Sequence, residues 1–208
     1  YNRIKDKEGE SAKRLLVCVD TSGSVVSSGD YLRRIVANVA EIVTKLGVKY
    51  IDVIQFAGDV YKDTEFRGTT PPPADKFAIE VETGGTDYDA LFDYIQSRYL
   101  DHRKSFQAAV IFTDMDVSYY VNGNSPYFSK NKPPYAKKTV WMILNDNPQS
   151  SEQLGRKLFG KSIFVSPKDF DKNLNFVQDE KTGDKNIEES LSYVPKCMNR
   201  YILQHLNE

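Results

Sequence analysis

The chain has 208 residues, with 28 lysines and arginines against 29 aspartates and glutamates; it can build one large domain or two small ones. A net charge of -1 gives no global attraction to nucleic acid or an anionic membrane, and 40% hydrophobic with 12% aromatic content excludes a disordered chain. No run approaches the ~18–20 apolar residues of a membrane helix, and two cysteines, Cys18 and Cys197, make neither a disulfide framework nor, alone, a zinc site.

Residues 1–13 are charged and lack the apolar stretch of a signal peptide, so they read as an N-terminal tail or linker. A start at Tyr1 reads as a fragment of a longer product, and the expected compartment is the cytoplasm. Residues 14–208 are expected to form one domain, with a core over 14–166 and a helical extension over 167–208.

Leu15–Val19 is a short apolar run rich in β-formers and ending at Asp20, which suits a strand buried on both faces. The turn Thr21-Ser22-Gly23-Ser24 follows. Asp30 then caps a helical pattern in which Leu32, Ile35, Val36, Val39, Ile42, Val43 and Leu46 recur, closed by Gly47. Val48–Phe56 predicts a second strand, and Asp59–Phe66 an antiparallel one reached through the Ala57-Gly58 turn. Residues 67–75 contain three consecutive prolines and read as loop. Phe77–Val81 is a candidate short strand leading into Thr83-Gly84-Gly85-Thr86-Asp87.

The next pattern, Ala90–Leu100, predicts a helix with Leu91, Tyr94, Ile95 and Tyr99 on its inner face. Ala108–Thr113 predicts a buried strand that again ends in an acid, Asp114. Met115–Lys138 is a long polar, aromatic and proline-bearing excursion whose Tyr119, Tyr120, Tyr127, Phe128 and Tyr135 suit recognition. Its lysines are too few for a nucleic-acid surface. Thr139–Leu144 and Ser162–Val165 complete the strands, with a short helix over Glu152–Phe159 between them. Ile187–Leu206 carries one apolar helical face interrupted by Pro195. Strands alternating with helices predict an α/β fold: a doubly wound, mostly parallel central sheet with helices on both faces and one antiparallel edge strand. Ligands of such sheets bind beyond the carboxyl ends of the strands, where Asp20 and Asp114 belong.

Asp20, Ser22 and Ser24 occupy alternate positions of a tight loop, so their oxygens can converge on one point. Thr86 and Asp114 bring the set to two carboxylates and three hydroxyls. Such all-oxygen donors suit a hard divalent cation, Mg2+ above all, with Mn2+ or Ca2+ as substitutes. The pattern Asp20-x-Ser22-x-Ser24, Thr86 after two glycines, and Asp114 after an apolar strand resembles the metal-ion-dependent adhesion site (MIDAS) of von Willebrand factor A (VWA) domains. The runs Leu15-Leu16-Val17-Cys18-Val19-Asp20, Gly84-Gly85-Thr86-Asp87-Tyr88 and Val140-Trp141-Met142-Ile143-Leu144 are most similar to an intracellular bacterial or phage-type branch found C-terminal to metallopeptidase-like regions.

That resemblance implies a module whose bound cation takes an Asp or Glu side chain from a protein partner, with a MoxR-type AAA+ ATPase as one such partner and no turnover. Neither nucleic acid nor membrane is an expected partner. One departure stands out: family members commonly carry glycine after the motif aspartate, where this chain has Met115 and then Asp116. The competing reading is a Mg2+-dependent phosphoryl-transfer or nuclease enzyme built on Asp20, Asp114 and Asp116. Against it, Asp20-x-Ser22 lacks the second acid of a phosphatase loop. A serine hydrolase is weaker still, because neither His102 nor His205 has an orienting partner in the sequence. Asp87, Asp89 and Asp116 read as helix-start and loop residues rather than ligands, and Cys18 as core packing.

Overall fold

A computed structural model of the chain describes residues 14–26, 48–67, 84–100, 106–115, 139–143, 153 and 163–165. The expected tail, the helix over 30–46, the strand over 77–81, the aromatic excursion and the C-terminal extension lie outside the described residues, as do Asp116, Cys197 and both histidines. The described elements are β1 (Arg14–Asp20), a single helical turn α1 (Gly23–Val26), β2 (Tyr50–Phe56), β3 (Val60–Arg67), α2 (Tyr88–Ile95), β4 (Ala108–Thr113), β5 (Thr139–Ile143) and β6 (Ile163–Val165).

The six strands form one sheet in the order β3-β2-β1-β4-β5-β6. Only the β2–β3 pair, a hairpin turning through Ala57–Asp59, is antiparallel. The architecture is therefore the α/β, mostly parallel sheet with one antiparallel edge that the strand pattern predicts. The chain leaves β1 toward β2 on one side and returns as β4 on the other, so the strand order reverses between β1 and β4. A crevice opens beyond the strand ends at such a reversal.

Every residue of β1 and β4 is buried, which is why both read as unbroken apolar runs rather than alternating ones. On one face Leu16, Cys18, Ile54, Phe56, Ala109 and Ile111 pack against Tyr88, Leu91, Phe92, Ile95 and Tyr99 of the α2 segment. Each fully buried large side chain contributes about 1.5–3 kcal/mol. Cys18 sits inside this core, and burial pushes its thiol pKa far up, so packing is its role.

The helix starts two residues earlier than its apolar spacing alone suggests. The Asp87 carboxylate accepts from the N–H groups of Asp89 (2.9 Å) and Ala90 (3.2 Å), capping α2 and making Tyr88 its first residue. Tyr88 and Phe92 thereby join the inner face, while Tyr94 is half-buried. A wider π-turn over Gln96–Leu100 ends the helix.

At the start of β1 lies a polar network that the sequence reading missed. Arg14 and Asp52, 6% and 1% exposed, are paired: Arg14 Nη1 donates to Asp52 Oδ1 and Oδ2 at 2.6 Å each and to Glu65 Oε2 at 2.9 Å. The guanidinium also stacks 4.5 Å over the Tyr50 ring. Tyr99 donates to Asp52 Oδ2 at 2.6 Å, and Tyr94 to Asp63 Oδ2 at 2.7 Å. Burial first, then Asp63, pushes the Tyr94 hydroxyl up to about 12, so it stays a donor at neutral pH. Removing one member of a buried ion pair strands the other, a loss of about 3–5 kcal/mol. Asp52→Ala is accordingly expected to lower unfolding free energy by about 3 kcal/mol in urea titrations, Glu65 retaining part of the Arg14 charge; a loss below ~1 kcal/mol would contradict this.

Candidate metal site

Asp20 is the last residue of β1 and is fully buried. Its Oδ1 accepts from the Ser22 backbone N–H at 2.9 Å, which curls the chain after the strand into a tight turn. The turn is held from below as Thr21 N–H donates to the Phe56 carbonyl at 2.9 Å, and the Thr21 hydroxyl bonds the same carbonyl at 3.1 Å. Ser22 and Ser24 then lie side by side, Oγ to Oγ at 3.3 Å, with Ser22 buried and Ser24 exposed.

Thr86 reaches the same point from the Gly84-Gly85 loop. That loop is tied to the hairpin by Asp87 N–H donating to the Ala57 carbonyl at 2.8 Å. Thr86 Oγ1 lies 3.2 Å from Asp20 Oδ2 and 3.4 Å from Oδ1. Asp114, half-buried, follows β4 at the same sheet edge, close enough that its charge disfavours ionisation of Asp20. The structure thus links Asp20, Ser22, Ser24 and Thr86 by hydrogen bonds, with Asp114 alongside, at the carboxyl ends of β1 and β4 where the strand order reverses.

Thr113 and its partner Tyr88 escaped the sequence reading as contributors to the site. Thr113, fully buried at the end of β4, donates to Asp20 Oδ2 at 2.6 Å. With its proton committed there, Thr113 Oγ1 accepts from the Tyr88 hydroxyl at 2.6 Å and from the Met115 N–H at 3.1 Å. The signal was the register: Val19 pairs with Phe112, which sets Thr113 beside Asp20. Met115 explains the departure from glycine. Its φ of 57° lies in the left-handed region that glycine favours, and its side chain is 1% exposed in the α2-face core. A left-handed L-residue costs about 1–2 kcal/mol, and burying a methionine offsets it with about 1.5–3 kcal/mol.

Burial is the main influence on Asp20 and raises its pKa; bonds from Thr113 and Ser22 pull it down, and Asp114 pushes it up again. The donor set fits a small hard cation: two carboxylates, three hydroxyls, no sulfur and no imidazole. Among the described residues no three His, Cys, Asp or Glu side chains gather as a metal cluster, so the fit depends on the hydroxyls.

The family model described as VWA-like domain (DUF2201) matches residues 15–158. Among solved structures, the chain is similar to an aerotolerance-related membrane protein from Bacteroides fragilis bearing multiple mutations to serine (13% identity, 92% of this chain and 99% of that one, TM-score 0.52). It is also similar to BatB from Bacteroides thetaiotaomicron (14% identity, 88% and 99%, TM-score 0.52). A looser likeness is to proximal thread matrix protein 1 of the mussel byssus, solved with a zinc-occupied MIDAS motif (12% identity, 79% and 44%, TM-score 0.42). No curated protein matches the sequence. The two likenesses above a TM-score of 0.5 bear on the fold. No helix among the described residues is long and apolar enough to cross a membrane.

The raised pKa of Asp20 fixes the sign of a pH effect. Between the unfolded carboxylate value of about 3.9 and the higher native one, the native state binds more protons, so stability falls as pH rises through that window. In chelator, the stability difference between wild type and Asp20→Ala should therefore shift against wild type as pH is raised from about 4 toward neutrality. Denaturant titrations across that range check it; a difference that moves in favour of wild type would contradict the assignment.

Proposed function

Because the chain belongs to the VWA-like domain family (DUF2201), whose members generally mediate protein interactions, we propose that it is a metal-dependent protein-interaction domain of the MIDAS type. Asp20, Ser22, Ser24, Thr86 and Asp114 hold the ion. Mg2+ suits these hard, mostly neutral donors best, with Mn2+ or Ca2+ as substitutes. Bound there, the ion supplies a Lewis-acidic vertex for a carboxylate of another molecule. The observation that carries this reading is a fully buried Asp20 carboxylate bonded to a backbone N–H and to hydroxyls, with a second carboxylate nearby.

The chain's own residues divide the work. Asp20 orients the Ser22 turn and accepts a hydrogen bond from the Thr86 hydroxyl, which leaves the Thr86 oxygen lone pairs for the cation. Exposed Ser24 and the exposed Gly84-Gly85 loop form the rim at which a partner arrives. Two carboxylates neutralise a dication without excess, so a further anionic oxygen remains welcome. An Asp or Glu side chain of a protein partner meets that demand. A MoxR-type AAA+ ATPase, to which the chain would act as adaptor, is the partner class that the branch resemblance brings with it, and the cytoplasm the matching compartment.

The enzyme reading has less behind it. Among the described residues, the buried cation Arg14 is committed to Asp52 at the opposite end of β1. At about 3.3 Å per residue that end is roughly 20 Å away.

A ligand at a hundredfold excess over its Kd stabilises by about 2.7 kcal/mol, or about 5–10 °C in Tm for a chain of this size. Mg2+ or Mn2+ should raise the wild-type Tm on that scale. Ser22→Ala and Thr86→Ala should lose most of the rise, keep the chelator Tm within a few degrees, and release an acidic partner in pull-downs. Retention of the partner by both variants in chelator overturns the metal-dependent reading. Mg2+-dependent phosphoester hydrolysis abolished by Asp114→Ala overturns the non-catalytic one.

A further inference from the structure

We propose that Thr113, which is not among the five cation ligands, is the positioning residue of the site, setting both of its carboxylates and the Thr86 loop through one hydroxyl; the inference rests on the metal reading above. The hydroxyl is used to capacity. It donates to Asp20 Oδ2 at 2.6 Å and accepts from Tyr88 O–H at 2.6 Å and Met115 N–H at 3.1 Å. All four groups are buried, so water is a poor substitute for any of them.

Each bond governs a different part of the site. The bond to Asp20 fixes which way the carboxylate turns at the end of β1. The bond from Met115 closes the backbone around Asp114, the residue between them, and helps hold Met115 at φ 57°. The bond from Tyr88 anchors the first residue of α2, two positions after Thr86 in the chain. Three segments that are distant in sequence thus meet at one oxygen. Partners that orient metal ligands in this way typically change metal affinity by about 10–100-fold when removed.

The test is Mg2+ and Mn2+ binding by titration calorimetry on the full chain, with melting in chelator as a metal-free readout. Thr113→Val keeps the side-chain shape and removes the donor. It should weaken binding about tenfold or more, whereas Thr113→Ser should stay within about threefold of wild type. Tyr88→Phe, which frees the Thr113 oxygen from its partner, should lose about threefold or more. Val53→Ala, a core truncation on the other sheet face, should lower the chelator Tm yet leave affinity unchanged. That separates positioning from stability. Wild-type affinity in Thr113→Val overturns this inference and leaves the metal reading standing; absence of cation binding by wild type removes both. Should Thr113→Val not fold, Tyr88→Phe decides, and unchanged affinity there overturns the inference.

Discussion

A carboxylate buried at the end of the central strand is the constraint around which this domain is arranged. Asp20 has no exposure to water, and burying its charged form costs several kcal/mol unless charge or hydrogen bonds repay it. The fold answers with donors from three directions: the Ser22 N–H from its own turn, Thr113 from the neighbouring strand, and Thr86 from the loop before α2. That repayment is partial, since the balance of burial, bonds and the Asp114 charge still leaves the pKa raised. A divalent cation would complete it. Under the proposed metal reading, stability without metal and affinity for metal would be two sides of one incompletely solvated charge.

The other end of the sheet meets the same problem with a cation of the chain's own, although burial raises the Asp52 pKa there too. Asp52 is as deeply buried as Asp20, yet it faces Arg14 at 2.6 Å and Tyr99 at 2.6 Å. The Arg14 charge is in turn shared with Glu65. Around it, Asp63, Glu65, Tyr94 and Arg98 line a polar cavity of about 500 Å³ with Asp52. There the cation is covalently part of the chain, so the network is a structural clamp joining β1, β2, β3 and the end of the helix. At Asp20 the neighbours are hydroxyls, a backbone N–H and another acid. The same physical problem is met at one edge of the sheet with a positive charge from the chain itself, and at the edge where Asp20 and Asp114 lie with hydroxyls and a backbone N–H.

How much of this was legible in the sequence follows from the range of the forces involved. The unbroken apolar runs of β1 and β4 announced strands covered on both faces, and the acids ending them announced the edge that matters. The spacing Asp20-x-Ser22-x-Ser24 showed that three oxygens could converge, because that geometry is local to one turn. Thr113 and Tyr88 were not visible in that way. Their roles depend on β4 lying beside β1 in one register and on α2 starting at Tyr88, which the Asp87 cap decides. The spacing of Leu91, Ile95 and Tyr99 pointed to a later start because an apolar stripe reports the buried face and is silent about the cap. Asp52 offered a usable sign: a lone acid between Ile51 and Val53 in a buried strand needs a partner, and Arg14, just before Leu15, was in reach.

Met115 shows how a left-handed backbone position can be filled by a residue other than glycine. What the position requires is a left-handed backbone, so that the chain can turn after Asp114 and direct the Met115 N–H onto Thr113. Glycine meets that requirement with the least strain but contributes nothing to the core. Methionine meets it with strain of about 1–2 kcal/mol and fills space against the α2 face. Its long, unbranched side chain suits such an irregular gap. Compared with glycine, methionine here draws local stability from side-chain burial rather than from backbone freedom. The turn that carries the Asp114 carboxylate, one residue earlier, is thereby secured from inside the protein, because the Met115 side chain is buried and its N–H is bonded to Thr113.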